Sequence, residues 1–237
     1  LFHQDPRIFM RSSRARYDVI LMNRGDPITA QMNRFYTKEF FAHAKQRLSP
    51  GGIFSFAVSG GESMLGPTQA RFLGSIKKTL LQIFPETLIY PGDQTRFFAT
   101  DIPGVLLSDA AALANRISER NLQLIYVRED ILQSALSPFR LDYLKSILED
   151  APGIAVNRDF SPICYFHNLL MWAGQWHEAL QNFLTALVDL KLRWLWSGLA
   201  IAGVIIVVIF WSGRCNFSVA ASAILFISSG IEMVLQL

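Results

Sequence analysis

Two polar side chains stand three residues apart where an apolar stretch ends: an amide at Asn23 and a carboxylate at Asp26. The stretch before them, residues 19–22, is short and apolar enough for a buried parallel strand. Open parallel sheets bind ligands outside the carboxyl ends of their strands, where such polar turns lie. We therefore expect Asn23 and Asp26 to face a binding or catalytic cleft.

Strand and helix patterns alternate around this turn and predict an α/β sheet. Apolar residues at three- and four-residue spacings predict a helix over residues 33–48, ended by the Ser-Pro-Gly-Gly of residues 49–52. Residues 53–58 predict a second strand, and Pro67 is suited to the first turn of a further helix. Residues 87–100 predict two short strands around a Pro-Gly-Asp turn.

Helices are predicted beyond the sheet. Ser108 is expected to cap a helix over residues 109–121, and a second helix is expected near residues 139–148. Residues 165–190 mix apolar and polar side chains and include two tryptophans. This segment either lies along a membrane surface or packs on the domain.

The C-terminal segment predicts membrane insertion. Hydrophobic residues make up 51% of the chain, and within residues 194–237 only Arg214 and Glu232 are charged. A hydrocarbon core of ~30 Å takes about 20 apolar helical residues, so the segment predicts two spans rather than a buried hairpin. Lys191 and Arg193 precede the first span and favour a cytoplasmic soluble domain. We therefore expect an integral protein of the inner membrane, with the lipid bilayer as a partner.

Charge and cysteine content exclude several functions. The formal net charge of +3 is too small to indicate binding of nucleic acid. The first fifty residues are richer in Arg and Lys than in acids, which fits an anionic ligand, a membrane surface or simply a solvated face. Cys164 and Cys215 lack the spacing of metal ligands, so neither a zinc site nor a disulfide framework is expected.

Four motifs stand in order along the first hundred residues: DPR at Asp5, YDVILMNRGDP at Tyr17, LSPGG at Leu48 and YPGDQTRFF at Tyr90. Together they resemble the second half of the spermidine synthase (polyamine aminopropyltransferase) family. The resemblance implies the C-terminal part of a Rossmann-like (S-adenosylmethionine methyltransferase-type) sheet. The family's glycine-rich loop and ribose-binding acid are then expected upstream of Leu1.

Further motifs are similar to a bacterial branch of this family in which the domain is joined to membrane helices. They are NRFYTKEFF, SGGESMLGP, FPETLIYPG and NRDFSPICYFHNLLMW. The resemblance implies one architecture with three parts. These are a partial α/β domain over residues 1–104, a helical extension over residues 105–193 and a truncated transmembrane hairpin over residues 194–237.

The resemblance also implies a reaction. In this family decarboxylated S-adenosylmethionine, as co-substrate, gives its aminopropyl group to an amine. The amine must be neutral to attack, so a nearby carboxylate helps to remove a proton. A second carboxylate can hold the far ammonium of a diamine through a charge-assisted hydrogen bond.

Carried over residue by residue, the resemblance assigns four roles. Asp5 corresponds to the acid that contacts the adenine amino group, and Tyr90 to a tyrosine that lines the amine pocket. Asp26 corresponds to the second acid of an Asp-x-x-Asp-Pro motif and is the candidate catalytic residue. Each has a purely structural alternative: a helix cap or turn for Asp5, a local Asx turn before Pro27 for Asp26, and ordinary packing for Tyr90.

Asn23 departs from the family pattern because it occupies the position of the first acid. An amide has no useful basicity near pH 7, so Asn23 is a substrate-binding candidate and not a base. Aminopropyl transfer and a non-catalytic nucleoside- or polyamine-binding role both follow from this pattern. The latter would make the domain a regulatory part of a transporter-like membrane protein, for which the intramembrane Glu232 is a candidate residue. A second copy of the chain is a further candidate partner.

Overall fold

A computed structural model of the chain describes residues 4–61, 65–125, 127–151 and 153–176. The chain divides into two compact units, Leu1–Leu169 and Leu170–Leu237, and the first contains the sheet. The strands are β1 (Tyr17–Met22), β2 (Leu48–Ser59), β3 (Glu86–Tyr90) and β4 (Gln94–Thr100). The helices are α1 (Pro6–Ser12), α2 (Ala30–Asn33), α3 (Lys38–Arg47), α4 (Pro67–Leu81), α5 (Ala110–Glu119), α6 (Glu129–Ala135), α7 (Pro138–Asp150) and α8 (Ile163–Trp176).

The four strands form one mixed sheet in the order β1-β2-β4-β3. β1 runs parallel to β2, with Val19 opposite Ile53 and Met22 opposite Phe56. β4 is antiparallel to both β2 and β3. The predicted α/β sheet is therefore confirmed, and its mixed strand directions are consistent with a Rossmann-like fold.

β1 is buried on one face only, which corrects the prediction of a fully buried strand. Ile20 is 7% exposed, whereas Val19 and Leu21 are 54% and 71% exposed. Alternate side chains of a strand point to opposite faces, so one face of this edge strand stays uncovered by the described residues.

The core is an aromatic cluster built on β2. Phe54 and Phe56 lie on the same face because side chains alternate along a strand. The Phe54 ring stacks on Phe84 with centroids 6.1 Å apart, and the Phe56 ring stacks on Phe97 at 5.2 Å. Phe41 of α3 stacks on Phe56 at 5.7 Å and closes this layer. The side chains of β2 are therefore held in place by the neighbouring strand β4, by Phe84 and by the helix α3 that covers them.

Two local predictions are wrong for identifiable reasons. The helix predicted over residues 33–48 is divided between α2 and α3, because the Thr37 hydroxyl accepts a hydrogen bond from the Phe40 N–H and starts α3 anew. The α5 cap is Asp109 and not Ser108, since the Asp109 carboxylate accepts from the Ala111 N–H at 3.0 Å. The predicted Pro67 start and the β3–β4 hairpin are confirmed.

The start of the segment predicted over residues 165–190 packs on the sheet domain. The Tyr165 N–H donates to the Asn33 side chain at 3.2 Å, and Phe166 is 5% exposed. The predicted transmembrane hairpin over residues 194–237 lies outside the described residues. Within the described residues no helix combines the length and the apolar character that a membrane crossing requires.

His167 provides a pH test of this packing. It is 4% exposed, neither ring nitrogen has a hydrogen-bond partner among the described residues, and burial together with the charge of Arg71 lowers its pKa to about 4. Above pH 6.5 the side chain is neutral whether the chain is folded or unfolded. As the pH falls from 6.5 toward 4, only the unfolded chain takes up the proton, so the free energy of unfolding falls.

We expect wild type to lose about 2 kcal/mol more stability than His167→Leu between pH 7 and pH 5. Urea unfolding at both pH values measures this difference. Other titrating groups are common to both proteins, so their contributions cancel in the comparison. Equal losses in the two proteins would contradict a neutral buried His167.

Candidate functional site

The turn after β1 is held at three consecutive residues. The Arg24 guanidinium lies over the Phe35 ring, 4.7 Å from its centroid. The Gly25 carbonyl accepts a hydrogen bond from the Tyr36 hydroxyl. The next residue, Asp26, accepts the Ser59 N–H at its Oδ1 at 2.7 Å. The turn is thus fixed to the α2–α3 connection on one side and to the end of β2 on the other.

Asp26 is half-buried and has one oxygen available for a ligand. Its Oδ1 bonds across to Ser59, while no described residue donates to its Oδ2. The local Asx turn is absent, because the Ile28 N–H donates to the main-chain oxygen of Asp26 at 2.8 Å. The carboxylate therefore joins two strand ends, at the edge where the sequence predicts a cleft.

Asn23 is exposed at the same turn, and no hydrogen bond to another described residue involves its side chain. The structure thus leaves the amide facing solvent beside Asp26. Asn23 and Asp26 thus belong to the same turn, with the first exposed and the second half-buried.

The β3–β4 turn closes onto the end of β2. The Gly60 N–H donates to the Asp93 carbonyl at 2.7 Å. The approach is so close that a Cβ at Gly60 would lie 1.9 Å from the Thr95 hydroxyl and 2.4 Å from the Gly92 carbonyl. Only glycine permits this contact, which brings the turn to the same edge as Asp26.

Tyr90 ends β3 at this edge but stands apart from Asp26. Three strand spacings of about 4.8 Å separate their strands, or about 14 Å. Tyr90 is half-buried, and burial raises its pKa while the Arg140 guanidinium opposes the rise. A cavity of about 300 Å³ lies next to it, between the adjacent Pro91 and the α7 side chains Arg140 and Tyr143.

Asp5 lies at the start of α1, where its carboxylate is already engaged. Oδ1 accepts from the N–H groups of Arg7 at 2.8 Å and Ile8 at 3.3 Å, and Oδ2 pairs with Arg34 at 2.6 Å. Burial alone would raise the pKa of Asp5, but these two N–H groups and the Arg34 guanidinium together lower it. The structure therefore contains the helix cap that the sequence allowed, and an adenine contact at Asp5 stays a prediction.

Asn157 is a residue whose role sequence reasoning missed. It is fully buried, and its Nδ2 donates to the Asn33 Oδ1 at 3.0 Å and to the Tyr36 carbonyl at 2.9 Å. Its backbone N–H donates to the Thr79 hydroxyl at 2.8 Å, and its Oδ1 accepts from the Cys164 N–H at 3.3 Å. The motif NRDFSPICYFHNLLMW contains it, but nothing local in that motif reveals partners so distant in the chain.

Asp159 of the same motif forms a second link. Its carboxylate pairs with the Arg7 guanidinium and accepts from the Thr37 hydroxyl at 2.7 Å. Its backbone N–H donates to the Glu39 carboxylate at 3.1 Å. Asn157 and Asp159 thus join the residues before α8 to α1 and to the α2–α3 connection, which supports the turn.

No metal centre forms in the described part of the chain, where three His, Cys, Asp or Glu side chains nowhere converge. What the described residues do provide is a polar turn at the carboxyl end of a parallel strand. That arrangement is typical of Rossmann-like ligand-binding domains.

Comparison with known proteins shows what the first part of the chain is similar to. Residues 1–90 match the family model of the Spermine/spermidine synthase domain, and this range contains Asp5, Asn23, Asp26 and Tyr90. The residues that carry the resemblance thus lie within a match to the spermine/spermidine synthase domain. The membrane-linked branch depends on residues outside the described part and stays a prediction.

Among solved structures, the chain is similar to a probable spermidine synthase from Corynebacterium glutamicum ATCC 13032. The two are 19% identical with a TM-score of 0.38, over 65% of this chain and 52% of that one. The chain thus spans about half the length of that protein.

The contact at Gly60 gives a stability prediction. Gly60→Ala would force a Cβ onto the Gly92 carbonyl, and the backbone there cannot move without displacing the β3–β4 turn. We expect it to lower the free energy of unfolding by about 1–3 kcal/mol in urea denaturation. Gly92→Ala is the matched control in the same turn, because its nearest neighbour would lie 3.5 Å away. Equal losses in the two variants would contradict the close approach.

Proposed function

We propose that this chain carries the amine-binding half of an aminopropyltransferase-like protein, in which Asp26 is the catalytic carboxylate. The observation that carries the proposal is the hydrogen bond from the Ser59 N–H, which fixes the Asp26 carboxylate beyond the carboxyl end of β1. Both residues lie within the range that matches the spermine/spermidine synthase domain. The free Oδ2 of Asp26 supports a role toward a ligand rather than toward the fold.

The proposed reaction joins the amine nitrogen to the aminopropyl carbon beside the sulfonium of decarboxylated S-adenosylmethionine. As the C–N bond forms, the C–S bond breaks and its electron pair returns to sulfur, which leaves as the neutral thioether methylthioadenosine. Asp26 accepts a proton from the amine nitrogen, and an amine with a lone pair is what the attack requires. Asn23 and Tyr90 bind the amine, and Asp5 contacts the nucleoside.

Asn23 favours a second candidate function. An acid at this position would bind an ammonium group of a diamine through a charge-assisted hydrogen bond, whereas an amide offers only neutral hydrogen bonds. A binding domain needs recognition without proton transfer, so Asn23 supports a nucleoside- or polyamine-binding regulatory role in a transporter-like membrane protein. The two candidates share the same site and differ in turnover.

We also propose that the protein is integral to the inner membrane, with this domain in the cytoplasm. The apolar composition of residues 194–237 and the basic residues before them support this location. Association with a second copy of the chain is part of the same proposal.

Ligand binding tests the nucleoside part of the proposal. Purified full-length protein is expected to bind methylthioadenosine and the decarboxylated donor in calorimetry. Absence of heat with both compounds would contradict both candidate functions where they invoke a nucleoside. Binding without turnover would favour the regulatory candidate.

Substitution of Asp26 tests the catalytic part. Asp26→Asn is expected to lower kcat for aminopropyl transfer by about 100-fold or more, because an amide cannot accept the proton. Methylthioadenosine affinity should stay unchanged. Asp18→Asn is the matched control, since this exposed carboxylate lies within β1 and outside the turn. Equal kcat in Asp26→Asn and wild type would overturn the assignment.

Substitution of Asn23 tests whether the amide lowers the rate of aminopropyl transfer. Asn23→Asp restores a carboxylate beside Asp26 and is expected to raise the rate of aminopropyl transfer in a labelled-product assay. The exposed position should tolerate the change without loss of stability. Absence of a gain would argue that the amine pocket no longer serves transfer.

A further inference from the structure

The Asn23–Asp26 turn is held by contacts with other segments. Gly25 lies in the left-handed region with φ +69°, and a Cβ placed there would meet no atom within 4 Å. The turn belongs to no helix or strand, so no regular backbone pairing holds its carbonyl groups. The Tyr36 hydroxyl donates a hydrogen bond to the Gly25 carbonyl.

The position of Tyr36 is fixed by its burial and by contacts of both its ring and its backbone. The residue is fully buried, and its ring packs edge-on against Phe56 with centroids 5.4 Å apart. Its backbone N–H donates to the Asn33 carbonyl at 2.8 Å, and its carbonyl accepts from Asn157 at 2.9 Å. The position of Tyr36 is therefore set both by the aromatic core and by Asn157.

We propose that Tyr36, anchored by Asn157, is a positioning residue that sets the geometry of the Asp26 carboxylate. The inference rests on the proposed function where it concerns catalysis, but the geometric link stands on the contacts alone. Gly25 is joined directly to Asp26, so a fixed Gly25 carbonyl limits the directions that the Asp26 carboxylate can take. The Ser59 N–H then completes the orientation from β2.

The chemistry of the phenol suits this role. Burial, followed by the nearby negative charge of Asp26, raises the pKa of Tyr36 well above its usual value. The hydroxyl therefore stays a hydrogen-bond donor across the pH range of any assay. Phenylalanine would keep the ring and its packing while removing only the bond to Gly25.

The link also joins the candidate site to a distant part of the chain. Asn157 and Tyr36 are separated by 121 residues. Through Asn157, the segment that precedes α8 contributes to the position of the turn, although no residue of that segment belongs to the turn. The Cys164 N–H in α8 donates to the Asn157 Oδ1 and so helps to hold the Asn157 side chain in place.

Tyr36→Phe tests the proposal, with two readouts. The first is amide hydrogen exchange at Ser59, whose N–H donates to Asp26. The second is the division of any loss between kcat and KM in the transfer assay. Tyr17→Phe is the matched control, because it removes a hydroxyl at the opposite end of β1.

In Tyr36→Phe we expect exchange at Ser59 to speed up by about 10-fold while exchange within α4 stays at the wild-type rate. We expect kcat to fall by about 10- to 100-fold, since small displacements of a catalytic group have effects of this size. KM and methylthioadenosine affinity should change less than 3-fold. Tyr17→Phe should match wild type in every readout.

Unchanged exchange at Ser59 would overturn the proposal, as would an equal acceleration in α4, which marks general destabilisation. A faster Ser59 in a protein without measurable transfer would support the geometric link and count against the proposed enzyme. The failure of the inference and the failure of the proposed function are therefore distinguishable.

Discussion

The arrangement of this domain depends on the hydrogen bonds made by the buried Asn157. Its side chain and backbone bond to Asn33, Tyr36, Thr79 and Cys164, which belong to three separate segments: the end of α2 with the residues after it, α4 and α8. A buried polar group left without its partner costs ~1–3 kcal/mol, so each of these bonds constrains where its segment can lie. An apolar residue of similar size could fill the space but could not fix four backbone and side-chain partners in register.

The central strand supplies the other constraint. β2 pairs with β1 on one side and β4 on the other, and its Phe54 and Phe56 anchor the aromatic core. Its last residue, Ser59, bonds to Asp26, and Gly60, which follows it directly, bonds to the β3–β4 turn. One strand therefore determines both the packing of the domain and the spacing of the groups at its edge.

Local patterns in the sequence were sufficient for the four strands and for helices such as α4 and α7, although α6 was not predicted. The apolar run before Asn23 and the Pro67 helix start follow from spacing and backbone chemistry within a few residues. The break between α2 and α3 escaped prediction because the hydroxyl of Thr37 outweighs a continuous apolar pattern there. Asn157 and Tyr36 escaped it for another reason: their partners lie far away in the chain, and no periodicity records a hydrogen bond between distant segments.

The same contacts explain why Asn23 can differ from the family pattern without disturbing the site. Arg24, Gly25 and Asp26 each bond or pack against another segment, so the turn keeps its shape whatever side chain precedes them. Asn23 is exposed and has no such partner among the described residues. A change between amide and carboxylate at this position alters charge and basicity while leaving the geometry of Asp26 in place. Under the proposed function, a single exposed side chain would therefore set the charge offered to an amine, while the contacts that hold Asp26 stay the same.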